Sequence, residues 1–229
     1  MDKQCSLMVY RYPMKYINSN MYMILEDDEV LLIDPNYNQD AVEQIKKNHI
    51  KKITILLTHE HFDHTSGVDF YRSMLPTVVI CQKKCADAIM KSRNNRPLAL
   101  LKMKTDDAVG IMDFYHSFRL YSIKADFIFE SSYDMTWCGH RIQFLSMPGH
   151  SKGSSLVRFD DTHIFTGDYM IEGIPVILRY PGGSVADYKK ITLPYLLALS
   201  AEYMVFPGHG EPYRRRDVIY AEDKFSRKK

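Results

Sequence analysis

The chain has 229 residues, of which 45% are hydrophobic and 25% are charged, and its formal net charge is +2. This composition excludes a disulfide-stapled miniprotein and a low-complexity chain, and the near-neutral charge gives no sign of a nucleic-acid partner. No segment has the length and apolarity of a membrane span, and the four cysteines form no disulfide framework. We therefore expect a cytoplasmic enzyme that acts on a small molecule.

The first part of the chain predicts strands that alternate with helices. Apolar runs at 20–25 and 30–33, joined by a polar turn, predict a hairpin that ends at Asp34. Asn38 or Asp40 can cap a helix that runs to about residue 48. Strands at 53–57 and 76–80 and helices at 67–74 and 83–91 follow. This alternation indicates an α/β layered sheet.

The second part of the chain begins with an interruption of this pattern. We expect a lid or insertion at about 92–126, with helical patches at 98–103 and 111–118. The pattern becomes strand-like again from Phe127, and strands are predicted at 142–147, at 156–159 and 163–166 as a pair, and at 203–206. A helix is predicted at 184–200, and Pro194 can kink or divide it. We predict that residues 1–229 form a single domain.

Four sets of polar side chains with metal-binding groups follow predicted strands directly. The densest set is Thr58-His59-Glu60-His61-Phe62-Asp63-His64, which follows the strand at 53–57. The other sets are Asp34, His150 with Asp168, and His209. Ligand sites of α/β folds lie at the carboxyl ends of strands. Imidazole and carboxylate are the ligands expected for zinc or another borderline divalent ion.

The spacing of these residues suggests two ions. His59 and His61 are alternate residues, so a locally extended chain points both the same way and points Glu60 away. Asp63 and His64 follow on a turn and can serve a second ion. Three candidates follow later in the chain, namely His150, Asp168 and His209. Together with the 58–64 segment they give five histidines and two aspartates, which is the ligand set of two ions that share one bridging carboxylate.

These motifs resemble those of the metallo-β-lactamase-fold hydrolases. Residues 58–64 match the His-x-His-x-Asp-His signature, and residues 32–35, 148–151, 166–168 and 207–210 resemble the other motifs in the same order. The resemblance implies a four-layer αβ/βα sandwich with metals at the strand-end edge, and it implies that Asp34 orients the cluster without binding metal. It implies the following ligands: His59, His61 and His150 for the first ion, Asp63, His64 and His209 for the second, and Asp168 as the bridge.

The segment Tyr180-Pro181-Gly182-Gly183-Ser184 is similar to the Pro-Gly-Gly-Ser segment of compact glyoxalase II-type hydrolases. Full-length glyoxalase II carries a C-terminal helical domain that helps to bind glutathione. Only about twenty residues follow His209, so that domain is not expected, and the resemblance leaves the thiol part of the substrate open.

The expected reaction is metal-dependent hydrolysis. A hydroxide that bridges two divalent ions would cleave a thioester, ester or lactone. Zinc is the expected metal, with iron or manganese as alternatives. Asp63 and Asp168 are the predicted catalytic carboxylates, and three further residues are candidates for substrate binding: Lys152, Tyr169 and Arg179.

Two other activities stay open from the sequence. Mononuclear iron persulfide dioxygenases share the Pro-Gly-Gly-Ser likeness. A phosphodiesterase or nuclease is disfavoured by the near-neutral charge and the lack of an added nucleic-acid clamp. The sequence does not determine the oligomeric state.

Overall fold

The structure is a computed structural model that describes residues 7–97 and 107–218. Within these ranges, the strands form two six-stranded sheets. The first sheet contains β1 (Val9–Pro13), β2 (Asn20–Glu26), β3 (Glu29–Ile33), β4 (Lys52–Leu56), β5 (Thr77–Gln82) and β6 (Phe127–Phe129). The second contains β7 (Ser132–Trp137), β8 (His140–Ser146), β9 (Ser155–Phe159), β10 (His163–Gly167), β11 (Met204–Pro207) and β12 (Tyr213–Arg214). The order of strands in each sheet follows the chain, so each sheet is built from one continuous half of the sequence.

Helices connect the strands of both sheets. Their bounds are α1 (Gln39–Lys47), α2 (Phe62–Thr65), α3 (Val68–Met74), α4 (Lys83–Ile89), α5 (Ala108–Ser117), α6 (Val185–Asp187) and α7 (Leu193–Leu197). Among the described residues, no helix is long and apolar enough to cross a membrane.

Three hydrophobic clusters divide the molecule into layers. Successive residues of β3 face opposite sides of its sheet: Leu32 packs with the α1 side chains, whereas Leu31 and Ile33 face the second sheet. On the far side of the second sheet, Ile164 and Val205 pack with Leu196 of α7. Helices therefore cover the outer face of each sheet. The predicted four-layer αβ/βα sandwich is confirmed.

The elements of the first sheet match the sequence predictions closely. The predicted hairpin is the antiparallel pair β2–β3, and β3, β4 and β5 pair in parallel. Asn38 caps α1, because its side chain accepts a hydrogen bond of 3.1 Å from the backbone N–H of Ala41. Two edge strands, β1 and β12, were not predicted.

The helix predicted at 184–200 is divided into three segments. A π-helical segment, Tyr188–Thr192, separates α6 from α7, and α7 ends at Leu197. Pro194 has no N–H to donate to the preceding turn, so a regular α-helix cannot continue through it with all its hydrogen bonds. The hydroxyl of Thr192 donates to the carbonyl oxygen of Pro148 at 2.7 Å, which fastens the wide turn to the loop before His150.

The predicted insertion at 92–126 is described in part. It contains a 3₁₀ turn, Ser92–Asn94, and α5, which corresponds to the helical patch predicted at 111–118. The patch predicted at 98–103 lies outside the described residues. Ile111 of α5 packs with Phe62, which stands between two of the predicted ligands. The lid role of the insertion stays a prediction.

Candidate metal centre

All seven predicted metal-binding residues lie together at the edge where β4, β10 and β11 end. The 58–64 segment follows β4, and its second half forms α2, so Asp63 and His64 occupy the first turn of a helix. His150 lies in the loop between β8 and β9, Asp168 follows β10, and His209 follows β11. The structure brings them together in two groups: His59, His61, His150 and Asp168, and Asp63, His64 and His209. A third close set joins His59 and His64 to Asp34.

The first group has the spacing that one metal ion requires. His61 Nδ1 lies 3.0 Å from His59 Nε2 and 3.0 Å from His150 Nε2. Asp168 Oδ2 lies 3.2 Å from the same nitrogen of His150. A tetrahedral zinc ion with bonds of about 2.0–2.1 Å separates its ligand atoms by about 3.3 Å. These three imidazoles and one carboxylate therefore fit a single zinc-sized ion.

The second group leaves buried polar atoms without partners. His64 Nε2 lies 3.3 Å from Asp63 Oδ2 and 3.3 Å from Asp168 Oδ1. His64 Nε2 and Asp168 Oδ1 are buried and have no hydrogen-bond partner among the described residues. His209 Nε2 completes the group at 3.6 Å from Asp63 Oδ2. Unsatisfied buried polar atoms are costly, and a cation at their centre would satisfy both.

Asp168 faces both groups with one oxygen each. Its Oδ2 faces His150 in the first group, and its Oδ1 lies 3.3 Å from His64 and 3.4 Å from His209 in the second. This is the arrangement that the resemblance implied for a bridging carboxylate.

The electrostatics of the groups suit a cation. Burial lowers the pKa of His61 to about 4 and lowers the pKa of His59, so both imidazoles keep a lone pair for a metal. Burial acts to raise the pKa of Asp63, but His64 and His209 outweigh it and hold that pKa at about 2. Asp168 is likewise held well below its usual pKa against the effect of burial, chiefly by His209 and His150. The carboxylates are thus ionised and the imidazoles of His59 and His61 neutral. Against the effect of burial, Asp63 and Asp168 raise the pKa of His64 and Asp168 raises the pKa of His150, so a metal ion at these two imidazoles would displace a proton.

Asp34 lies behind the second group. Its Oδ1 accepts a hydrogen bond of 2.7 Å from the N–H of Thr58, and its Oδ2 lies 2.9 Å from His64 Nδ1. A carboxylate beside Nδ1 holds the imidazole proton there and leaves Nε2 free to bind a metal. Asp34 therefore fixes both the position and the tautomer of His64.

Replacing Asp34 by asparagine is expected to weaken metal binding in the second group by about 10–100-fold. An amide offers only one oxygen, so if it accepts from Thr58, its NH₂ faces His64 Nδ1. The imidazole proton must then move to Nε2, which faces the metal. Competition with a chelator of known affinity measures this change. Asp126→Asn is the matched control, because Asp126 accepts from a strand N–H at 2.8 Å and from Arg72 at 2.7 Å, outside both groups. Equal affinities of the two variants would contradict this role of Asp34.

Tyr169 does not occupy the substrate-binding position predicted for it. Its side chain is buried, and its hydroxyl donates to the carbonyl oxygen of Met147 and accepts from the N–H of His150 at 2.8 Å. It therefore positions the His150 loop, and its hydroxyl is already engaged by two backbone groups. Adjacency to Asp168 in the chain was misleading because the Tyr169 side chain points to the loop before His150 instead of sharing the direction of the carboxylate. Lys152 and Arg179 are exposed, and their substrate role stays a prediction.

Tyr180 lies at the metal groups but was not singled out from the sequence. Its ring packs edge to face on His61, with centroids 5.9 Å apart, and on His150 at 6.3 Å. The turn that follows is tight, because the Gly183 N–H donates to the Tyr180 carbonyl oxygen at 2.8 Å and a Cβ on Gly183 would meet the Leu178 oxygen. The Pro-Gly-Gly sequence predicts this turn, but it does not predict that the Tyr180 ring reaches the two histidines.

Comparison with known proteins agrees with this geometry. A family model described as the metallo-β-lactamase superfamily matches residues 15–209. A probable metallo-hydrolase of Streptococcus pyogenes serotype M6 is 27% identical over 206 residues, covering 88% of this chain and 83% of that protein. A probable metallo-hydrolase of Bacillus subtilis is 25% identical over 216 residues, covering 93% and 94%. A hydroxyacylglutathione hydrolase of Buchnera aphidicola is 36% identical over 66 residues, covering 28% of this chain and 26% of that protein.

Solved structures share the fold. The BLEG-1 B3 metallo-β-lactamase superposes with a TM-score of 0.70 at 23% identity, covering 91% of this chain and 95% of that chain. The protein TTHA1623, in a di-iron-bound form, superposes with a TM-score of 0.69 at 23% identity, covering 90% and 95%. ETHE1 from Myxococcus xanthus superposes with a TM-score of 0.62 at 18% identity, covering 95% and 82%. Similarity at these identities establishes the architecture alone.

Proposed function

The chain belongs to the metallo-β-lactamase superfamily, and from this premise we propose that it is a metal-dependent hydrolase that binds two divalent ions and cleaves a small thioester, ester or lactone. The observation that carries the proposal is the position of Asp168, whose Oδ2 faces the first group and whose Oδ1 faces the second group. A site for a single ion would not require a carboxylate with both oxygens engaged in this way. Zinc suits the imidazole-rich donor set.

The two ions would supply a hydroxide nucleophile at neutral pH and would polarise the carbonyl group of the substrate. The residues of the chain hold this chemistry in place. Asp168 fixes the spacing of the two groups, and Asp34 keeps the proton of His64 on Nδ1. We keep Asp63 and Asp168 as the catalytic carboxylates. No serine or cysteine nucleophile is required.

The relatives support hydrolysis more strongly than any one substrate. The two probable metallo-hydrolases align over most of their own length. The likeness to the hydroxyacylglutathione hydrolase supports a thioester, but it covers only about a quarter of each protein. We therefore propose cleavage at a carbonyl carbon and leave the thiol or alcohol part of the substrate unassigned.

Metal content and a substrate panel test this proposal together. Protein reconstituted with mixed metals is expected to hold about two zinc ions per chain by elemental analysis, and to hydrolyse a thioester or lactone in preference to a phosphodiester. One iron per chain with oxygen uptake on glutathione persulfide would replace hydrolysis with sulfur oxidation. Preference for the phosphodiester would instead make the protein a phosphodiesterase.

His209→Ala separates a two-ion from a one-ion reaction. His209 belongs only to the second group, so a two-ion hydrolase is expected to lose kcat/KM by a factor on the order of 100 or more, about 2.7 kcal/mol. A one-ion enzyme would keep its activity. His49→Asn is the matched control, because His49 is exposed and its φ of 53° suits asparagine.

A further inference from the structure

Glu60 stands between two proposed ligands but serves neither metal group. The alternation of the extended segment turns its side chain away from His59 and His61, as the sequence predicted. Its Oε2 accepts a hydrogen bond of 2.7 Å from the hydroxyl of Ser151, the residue after His150. Glu60 belongs to the first half of the chain and Ser151 to the second, so this bond joins loops of the two sheets.

Ser151 is itself held in place by Ser154. The N–H of Ser151 donates to Ser154 Oγ at 3.0 Å, and the two hydroxyl oxygens lie 2.9 Å apart. Ser151 and Ser154 are both buried. Since each hydroxyl has one proton to donate, Ser154 can donate to Ser151 while Ser151 donates to Glu60. The loop that carries His150 is therefore connected to Glu60 through a buried side chain with one orientation.

Two glycines bring the loops close to this carboxylate. A Cβ on Gly153 would lie 2.6 Å from Glu60 Oε2 and closer still to the backbone of Cys85, so only glycine fits there. A Cβ on Gly182 would lie 3.8 Å from Glu60 Oε1. Glu60 is thus in contact range of the His150 loop and of the turn that follows Tyr180.

We propose that Glu60 is a positioning residue for the first metal ion: by accepting the Ser151 hydroxyl, it holds His150 at the correct distance from His59 and His61. The inference rests on the proposed metal centre, but it does not depend on the substrate or on the bond cleaved. Residues that orient metal ligands from outside the coordination shell typically change metal affinity by about 10–100-fold when they are mutated. Metal affinity is therefore the quantity that Glu60 should control.

Four variants of the full chain test the proposal by zinc competition with a chelator. We expect Glu60→Ala and Ser151→Ala each to weaken binding of the first ion by about 10–100-fold. Glu60→Gln keeps an oxygen that can accept from Ser151, so it is expected to stay within about threefold of the unmodified protein. The double variant Glu60→Ala/Ser151→Ala is expected to bind no more weakly than either single variant, because both changes remove the same contact. Glu172→Ala, an exposed site, is the control.

The outcomes distinguish a positioning role from general destabilisation. Loss of this buried contact is expected to lower the unfolding temperature of the metal-free alanine variants by a few degrees. The second ion is expected to bind with unchanged affinity, so a loss of affinity confined to the first ion identifies the positioning role. Wild-type affinity in Glu60→Ala, equal losses in Glu60→Gln and Glu60→Ala, or additive losses in the double variant would each overturn the proposal. Absence of hydrolysis on every substrate would instead contradict the proposed function, and the order of zinc affinities would still test the role of Glu60.

Discussion

Asp168→Ala is expected to lower kcat/KM by a factor on the order of 10³ or more, which corresponds to about 4 kcal/mol of transition-state stabilisation. The carboxylate lies 3.2 Å from His150 Nε2 through one oxygen and 3.3 Å from His64 Nε2 through the other, so its removal affects both groups at once. Without the carboxylate that holds both ions at their spacing, the site would no longer supply a hydroxide nucleophile and a polarised carbonyl group together. Elemental analysis and kinetics on the same preparation measure the two effects.

The control for this variant is Asp87→Ala. Asp87 is an exposed residue of α4 that forms no ion pair with any described residue. We expect it to keep the metal content and kcat/KM of the unmodified protein. If Asp168→Ala kept both metal ions and its activity, the assignment of Asp168 as the bridge would be wrong. If it kept two ions but lost activity, Asp168 would act in catalysis without holding the metals.

Gly208→Ala is expected to weaken the binding of the second metal ion by a factor on the order of 100. It is also expected to lower the stability of the fold by about 1–3 kcal/mol, as overpacking does. A Cβ at this position would lie 2.6 Å from Asp168 Oδ1 and 2.9 Å from His64 Cε1. Because the backbone of Gly167 is also 2.9 Å away, the methyl group cannot retreat. The carboxylate must therefore turn away from the second group.

Gly210→Ala, two residues further along, is the matched control. A Cβ there would meet only Ile171 Cγ2 at 3.9 Å, but the φ of Gly210 is 81°. Alanine in this conformation costs about 1–2 kcal/mol, so both variants lose comparable stability. We expect only Gly208→Ala to lose metal affinity. Equal zinc affinities in the two variants would show that the space at Gly208 is not required by the second ion.

Local features of this chain were predictable because their signals lie within a few residues. The strand β4 and the segment 58–64 are adjacent in sequence, so an apolar run followed by imidazoles already located the site. The Asn38 cap and the division of the helix around Pro194 depend on single residues whose backbone chemistry is known. The edge strands β1 and β12 were missed because they are half-buried or only two residues long.

Contacts between distant loops could not be read from spacing. Glu60 and Ser151 are 91 positions apart, and each alone resembles an ordinary polar loop residue. Tyr180 reaches His61 only because a tight turn holds it there, whereas Tyr169 follows Asp168 in the chain and is nevertheless buried beneath the His150 loop. Residues next to a ligand in sequence lie close to it, but their side chains point in other directions. The site residues were therefore easier to predict than the residues that support them.

The construction of each sheet from one half of the chain bears on the order of events during synthesis. The first sheet is complete at Phe129, and the loops at its edge carry four of the seven proposed ligands, whereas His150, Asp168 and His209 emerge afterwards. During synthesis, the N-terminal half of the chain leaves the ribosome before the C-terminal half. Neither proposed ion has its full ligand set until the second sheet docks. We therefore expect complete metal loading to follow the docking of the second sheet.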